Sequence, residues 1–216
     1  MYYVPIGCVC NPTLRLKESK LRSIAFPFDW VLIQPDSLYY ILELLLVANM
    51  NTEEIVRQHF FKWTRKAKPC SSGGDYTFCD KGNAYVNADR AIVFAHETGT
   101  PESIIQTYIR RFDRLKSVLA TSTVCLVYIS NSIRCPITMD SYHLPHPSYH
   151  DLNKVFRLIR SINPGNKMLV YDALHLEDPA LLDNGIKYVK IDSPTIMAKI
   201  GCRINIKADY ESVANN

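Results

Sequence analysis

Val124-Cys125-Leu126-Val127-Tyr128-Ile129 is an unbroken apolar run. A strand with water on one face alternates apolar and polar residues, whereas an unbroken run needs cover on both faces. Ala91-Ile92-Val93-Phe94-Ala95 and Met168-Leu169-Val170-Tyr171 are runs of the same kind, and residues 2 to 6 and 186 to 191 read as further strands. Amphipathic helices lie between them. Ile104, Ile105, Tyr108, Phe112, Leu115 and Leu119 recur at three- and four-residue spacing and predict a helix over 101–119. Leu152, Val155, Phe156 and Ile159 predict another over 151–162, which Asn163-Pro164-Gly165 ends. Residues 11–20 and 38–48 are expected to be helical as well, the second opened by Gln34-Pro35-Asp36-Ser37. Thr52 is placed to cap a further helix, with Glu53 and Glu54 in its first turn.

This alternation predicts an α/β fold: a mainly parallel sheet flanked by helices in three Rossmann-like layers, as a single domain over 1–216. Residues 67–90 stand apart as an irregular insertion. Turn chemistry at Ser71-Ser72-Gly73-Gly74-Asp75 and Lys81-Gly82-Asn83 brackets Tyr76, Phe78 and Tyr85, which suggests short strands or a hairpin.

The net charge of +4 is too mild to call for nucleic acid. The one basic cluster with an aromatic, Arg57, Lys62, Arg65, Lys66 and Lys68 around Trp63, reads as a solvated helix end. The longest apolar run, 41 to 48, carries Glu43 and is too short to span a membrane. With no export signal and an odd count of seven cysteines, reduced thiols in a cytoplasm are expected. No cofactor fingerprint is visible: there is no Walker loop, dinucleotide motif or Gly-x-Ser-x-Gly elbow. His143, His146 and His150 have metal-like spacing, but Pro145 and Pro147 bar a regular helix, so no metal is expected. Cys70 and Cys79 fit no zinc spacing, and His59 and His175 have no partner legible in the sequence.

The chemistry concentrates near the first strand. Cys8 and Cys10 stand where it hands over to a helix, and a thiol there feels the positive end of the helix dipole, which favours the thiolate. Cysteine catalysis also needs a base and a group to orient it. Cys10 is the nucleophile candidate, with Cys8 as competitor or resolving partner. His96, at the end of a strand, is the candidate base; Asp29 or Asn131 would orient it or bind substrate. Asn11, Trp30 and Arg111 are further substrate-binding candidates. In an open parallel sheet, ligands sit at the carboxyl ends of the strands. Cys10, His96, Ser130 with Asn131, and Asp172 are therefore expected to converge on one edge.

Ile6-Gly7-Cys8-Val9-Cys10, Leu14-Arg15-Leu16 and Pro27-Phe28-Asp29-Trp30 together resemble the opening of a bacterial and viral family of papain-like cysteine peptidases. Phe94-Ala95-His96-Glu97 is similar to its Phe-x-His-Asp element, with Glu97 where Asp is usual. Tyr108, Arg110, Arg111, Arg114 and Leu115 resemble its Arg-rich helix. The likeness runs over roughly 4 to 130. It implies Cys10, chosen over Cys8 by its spacing to Asp29, as nucleophile and His96 as base. Asn11 follows the cysteine here, where the family has its residue before it. The resemblance also implies a papain-like α+β fold with the histidine on an antiparallel sheet, against the parallel pattern read above.

Three functions follow as expectations. One is a cysteine-dependent hydrolase or acyl transferase acting on a peptide or small molecule. Another is a non-peptidase enzyme acting on a glycan or nucleotide through Asp29, His96, Arg110, Arg111 and Arg114. The last is an inactive viral protein that binds a host protein.

Overall fold

A computed structural model describes residues 1–7, 11–62, 65–67, 83–90, 92–97, 99–130, 148–172, 178–191 and 206. The parallel sheet is present, in the order β1 (Tyr2–Ile6), β6 (Val124–Ile129), β7 (Lys167–Asp172), β8 (Ile186–Lys190). Tyr2 stands opposite Val124 and Cys125 opposite Lys167. Side chains alternate across it, as strand geometry requires. Val4, Ile6, Leu126, Tyr128, Met168 and Val170 point into one core cluster. Tyr3, Cys125, Val127, Ile129, Leu169 and Tyr171 point into another.

Helices α2 (Pro35–Leu46), α4 (Pro101–Thr121) and α5 (Tyr149–Ile162) cover the first face with Leu38, Phe112 and Leu152 among others. Helix α1 (Asn11–Glu18) covers the second face through Leu16, joined there by Ile206. Each fully buried apolar side chain contributes about 1.5–3 kcal/mol, so two-sided cover is what makes unbroken apolar strands stable. Thr100 and Ser148 cap α4 and α5 by accepting from the amides of Ser103 and Asp151 at 3.2 Å each. Cys125 is fully buried, and burial pushes its thiol well above the ordinary range; it is a packing residue. Among the described residues, no helix is long and apolar enough to cross a membrane.

A second sheet, wholly antiparallel, has the order β2 (Val31–Leu32), β5 (Ile92–Glu97), β4 (Asn83–Asn87), β3 (Arg65–Ala67). The strand carrying His96 therefore lies in this second sheet and not in the parallel one. Ile92, Val93 and Phe94 are all buried. A strand covered on both faces shows no alternation, whichever way its neighbours run, so the run could not reveal its sheet. Of the expected insertion, Tyr85 lies on β4, which pairs antiparallel with β3; Tyr76 and Phe78 fall within 68–82, outside the described residues.

The segment after α2 also differs from expectation. Asn51, one residue before Thr52, is the cap, accepting from the amides of Glu53 and Glu54. Thr52 instead donates to Asp113 of α4 at 2.6 Å. One α-helical turn, α3 (Thr52–Glu54), then widens into a π-helix over Ile55–Phe60. Phe60 sits at the centre of an aromatic cluster, 4.9–6.1 Å from the rings of Phe28, Phe94, Tyr108 and Phe112.

Candidate functional site

The two sheets meet where β1 ends. The Gly7 carbonyl accepts from the Ile33 amide at 3.1 Å, joining the end of β1 to the chain leaving β2. Gly7 has φ +135°, and a Cβ there would stand 3.3 Å from the Tyr128 ring. Only glycine meets both demands. Residues 8–10 follow and lie outside the described residues, so the expected roles of Cys8 and Cys10 rest on where their neighbours are. Asn11 is the first residue of α1, directly after Cys10. Thr13, in the same first turn, is buried, and its Oγ1 accepts from the Trp30 amide at 3.4 Å.

Residues 26–30 form a tight knot. Phe28 is anchored against Phe60 and Phe112, at 6.1 and 5.8 Å, and Phe26 meets Tyr2 edge-on. Asp29 is completely buried between these anchors. Its Oδ2 accepts from Arg22 Nε at 2.9 Å, Arg22 Nη2 at 2.5 Å and the Phe26 amide at 3.3 Å. Its Oδ1 has no partner among the described residues. Burial raises the Asp29 carboxyl above its ordinary value, against the opposing hydrogen bond and charge of Arg22. Trp30, half-buried, has φ +63°, a left-handed conformation that costs a bulky residue energy and is kept only where its surroundings enforce it.

From α4, Arg114 Nη1 donates to the Ala25 carbonyl at 2.6 Å, and Arg111 lies 5.2 Å above the Tyr108 ring. Arg111 Nη1 is buried without a partner. Its charge acts on Asp29, and both charges act on the Tyr108 hydroxyl. Tyr108 donates to Glu97 Oε1; burial first, then Glu97, pushes the hydroxyl well above its ordinary value. Val31 stands opposite Phe94 and Leu32 opposite Val93. Asp29 lies in the turn that leads directly into β2, and β2 pairs with the strand that carries His96. His96 is placed by its backbone in β5; its side chain and that of Asn11 lie outside the description, as does Asn131 altogether.

Of the predicted residues, Asp29, Trp30, Arg111, the backbone of His96 and the helix start after Cys10 thus come to one corner. The sequence reading missed Arg22, Thr13 and the Tyr108–Glu97 pair. No periodicity links Arg22 to Asp29, and Tyr108 reads as an ordinary core position of α4.

The carboxyl edge of the parallel sheet holds a separate polar group. Ser130, just past β6, donates from Oγ to Asp172 Oδ1 at 2.5 Å, and Tyr149 of α5 donates to Oδ2 at 2.5 Å. All three residues are fully buried. Burial first, then Asp172, raises the Tyr149 hydroxyl. The expectation that Ser130 and Asp172 meet is met, and His96 is carried by a strand of the other sheet. Among the described residues, no group of three or more histidines, cysteines and acids could hold a metal ion. Of the histidine trio, His150 lies on α5, while His143 and His146 fall outside the description, as do Cys70, Cys79 and His175.

A family model described as "Putative papain-like cysteine peptidase (DUF1796)" matches residues 1–144, a span that contains Cys10, Asp29, His96 and Arg111. No curated protein and no solved structure matches the chain.

Proposed function

The chain belongs to this papain-like cysteine peptidase family, and from that premise we propose that it is a cysteine-dependent hydrolase or acyl transferase acting on a peptide or a small amide or ester. The Cys10 thiolate attacks the carbonyl carbon, and the tetrahedral oxyanion is held by backbone amides at the Asn11 helix start. His96 takes the thiol proton and returns it to the leaving group as the carbon–nitrogen or carbon–oxygen bond breaks. Water, deprotonated by His96, then cleaves the thioester and restores the thiol; in a transferase an acceptor amine or alcohol replaces water. Asp29 is the positioning residue: Oδ2 is committed to Arg22 and Phe26, which leaves Oδ1 to orient the base or a substrate amide. Arg111 and Trp30 line the substrate side.

One observation carries this reading. β2, which leaves the turn that holds Asp29, pairs with the strand that carries His96, while the Thr13–Trp30 hydrogen bond ties that turn to the helix that follows Cys10. Iodoacetamide labelling against pH tests it. Wild type and Cys8→Ala should label with an apparent pKa well below that of an ordinary thiol, about 8.5. Cys10→Ala should lose this fast phase, and His96→Ala should shift it upward. A Cys10 that alkylates no faster than an ordinary thiol at neutral pH removes the nucleophile from the proposal.

A further inference from the structure

A cavity of about 470 Å³ opens between α2, the π-helix and the corner that follows β4. Its wall includes Tyr40, His59, Lys62, Asn87, Asp89 and Arg90, and among the described residues no aliphatic side chain lines it. Arg90 precedes β5 and His96 lies near the far end of that strand, so their backbones stand up to about 20 Å apart, at about 3.3 Å per extended residue. Nothing in the proposed peptidase chemistry uses it.

The cavity is a built feature. Ser37 Oγ donates to the Arg90 carbonyl at 2.6 Å and fixes the corner on α2. Asn87 is buried, and its Nδ2 donates to the carbonyls of His59 and Phe60 at 2.7 and 3.1 Å, holding the last turn of the π-helix open. Such π-helical turns recur at functional sites. Both donor hydrogens of the Asn87 amide are thereby used, and its Oδ1 has no partner among the described residues.

The cations on the wall are not equally engaged. Arg57 is saturated, bonding Glu53 through Nε and Glu102 through both Nη atoms. Lys62 makes one ion pair, 3.1 Å from Asp89, with both partners more than half exposed. Such a pair contributes about 0–1 kcal/mol and exchanges readily. Arg90 has no carboxylate partner among the described residues; its guanidinium lies flat on the Tyr40 ring, 3.6 Å from the centroid. Stacking holds the guanidinium plane in place and leaves its edge N–H groups for an oxyanion. It also covers the Tyr40 face, which removes a surface on which a nucleobase would stack. Beside it the Tyr40 hydroxyl and His59 Nδ1 are 3.0 Å apart.

The geometry points to a binding site for a phosphorylated polyol such as a sugar phosphate, with the phosphate on Arg90 and Lys62 and hydroxyls on Asn87, Asp89 and His59. The phosphate supplies the anion that Arg90 lacks. The hydroxyls supply donors for Asn87 Oδ1 and Asp89.

Calorimetric titration of the full chain with ribose 5-phosphate tests this, with ribose and inorganic phosphate as comparison ligands at equal ionic strength. Ribose 5-phosphate should bind, inorganic phosphate at least several-fold more weakly, and ribose not measurably. Arg90→Gln should weaken ribose 5-phosphate roughly tenfold or more, with Arg90→Lys recovering part of the loss. Lys62 is exposed, so Lys62→Glu leaves the fold intact whatever happens at Arg90, and it should also cost roughly tenfold. Arg157→Gln, on α5 and away from this wall, should change nothing. Equal affinity for ribose 5-phosphate and inorganic phosphate overturns the polyol part. Unchanged affinity in Lys62→Glu, or no binding by wild type, overturns the site.

Discussion

Asp29 and Asp172 are both completely buried aspartates just beside strand ends, yet they are held in opposite ways. Asp172 meets neutral hydroxyls on both oxygens, Ser130 on one and Tyr149 on the other. It fastens β6, β7 and α5 to one another. Asp29 meets a cation on one oxygen only; its other oxygen and the nearby Arg111 Nη1 are both buried and unmatched. Unpartnered buried polar atoms are rare because each costs about 1–3 kcal/mol. A corner that carries two of them beside a left-handed tryptophan is held ready for something; the saturated corner is not.

The sharpest way to break this contrast is Asp172→Ala. It removes the acceptor of two buried hydroxyls and should cost about 3–5 kcal/mol in urea unfolding, since hydrogen bonds to charged groups contribute about 1.5–3 kcal/mol each. Arg22→Ala comes next. It leaves Asp29 as a buried charge without its ion pair and should cost about 2–4 kcal/mol, somewhat less than a fully buried pair because Arg22 is 24% exposed. The contrast in roles is read by conservative variants: Asp29→Asn should slow Cys10 alkylation several-fold with a stability loss of only about 1 kcal/mol, and Asp172→Asn should do the reverse. Equal effects of the two on alkylation would erase the distinction.

The smallest effect is a pH trend. The folded-state pKa of Asp29 lies above its ordinary value of 3.8. Between those values the folded chain binds more protons than the unfolded chain, so this group's contribution to stability falls as pH rises through the window and recovers as pH drops. Urea midpoints at several pH values should show wild type losing less on acidification than Asp29→Asn, by at most about 1.4 kcal/mol per pH unit.

The parallel sheet was legible because runs such as Val124–Ile129 have only one stable setting, and α4 because its apolar stripe is long. The site was half legible. Pro27-Phe28-Asp29-Trp30 marks the corner, since an acid between two aromatics in a Pro-bounded turn is hard to place in an ordinary core. Arg22 was invisible, because an ion pair within an irregular link follows no period. The second sheet was hidden by its own burial: Ile92, Val93 and Phe94 give no alternation to read. The resemblance nonetheless implied an antiparallel setting for His96, and the two readings are reconciled by a chain that has both sheets. At Thr52 the cap was misplaced by one residue because Asn51 is an equally good capping type, and only the chain's path distinguishes them.

The Ile33 amide bonded to the Gly7 carbonyl gives the molecule a clock as well as a seam. Any excursion that lifts the chain after β2 must break that bond, and Gly7 is the last described residue before the two thiols. The exchange rate of one backbone proton therefore counts how often the root of the Cys8–Cys10 segment comes loose. A ligand seated against both sheets would slow that count before any product formed.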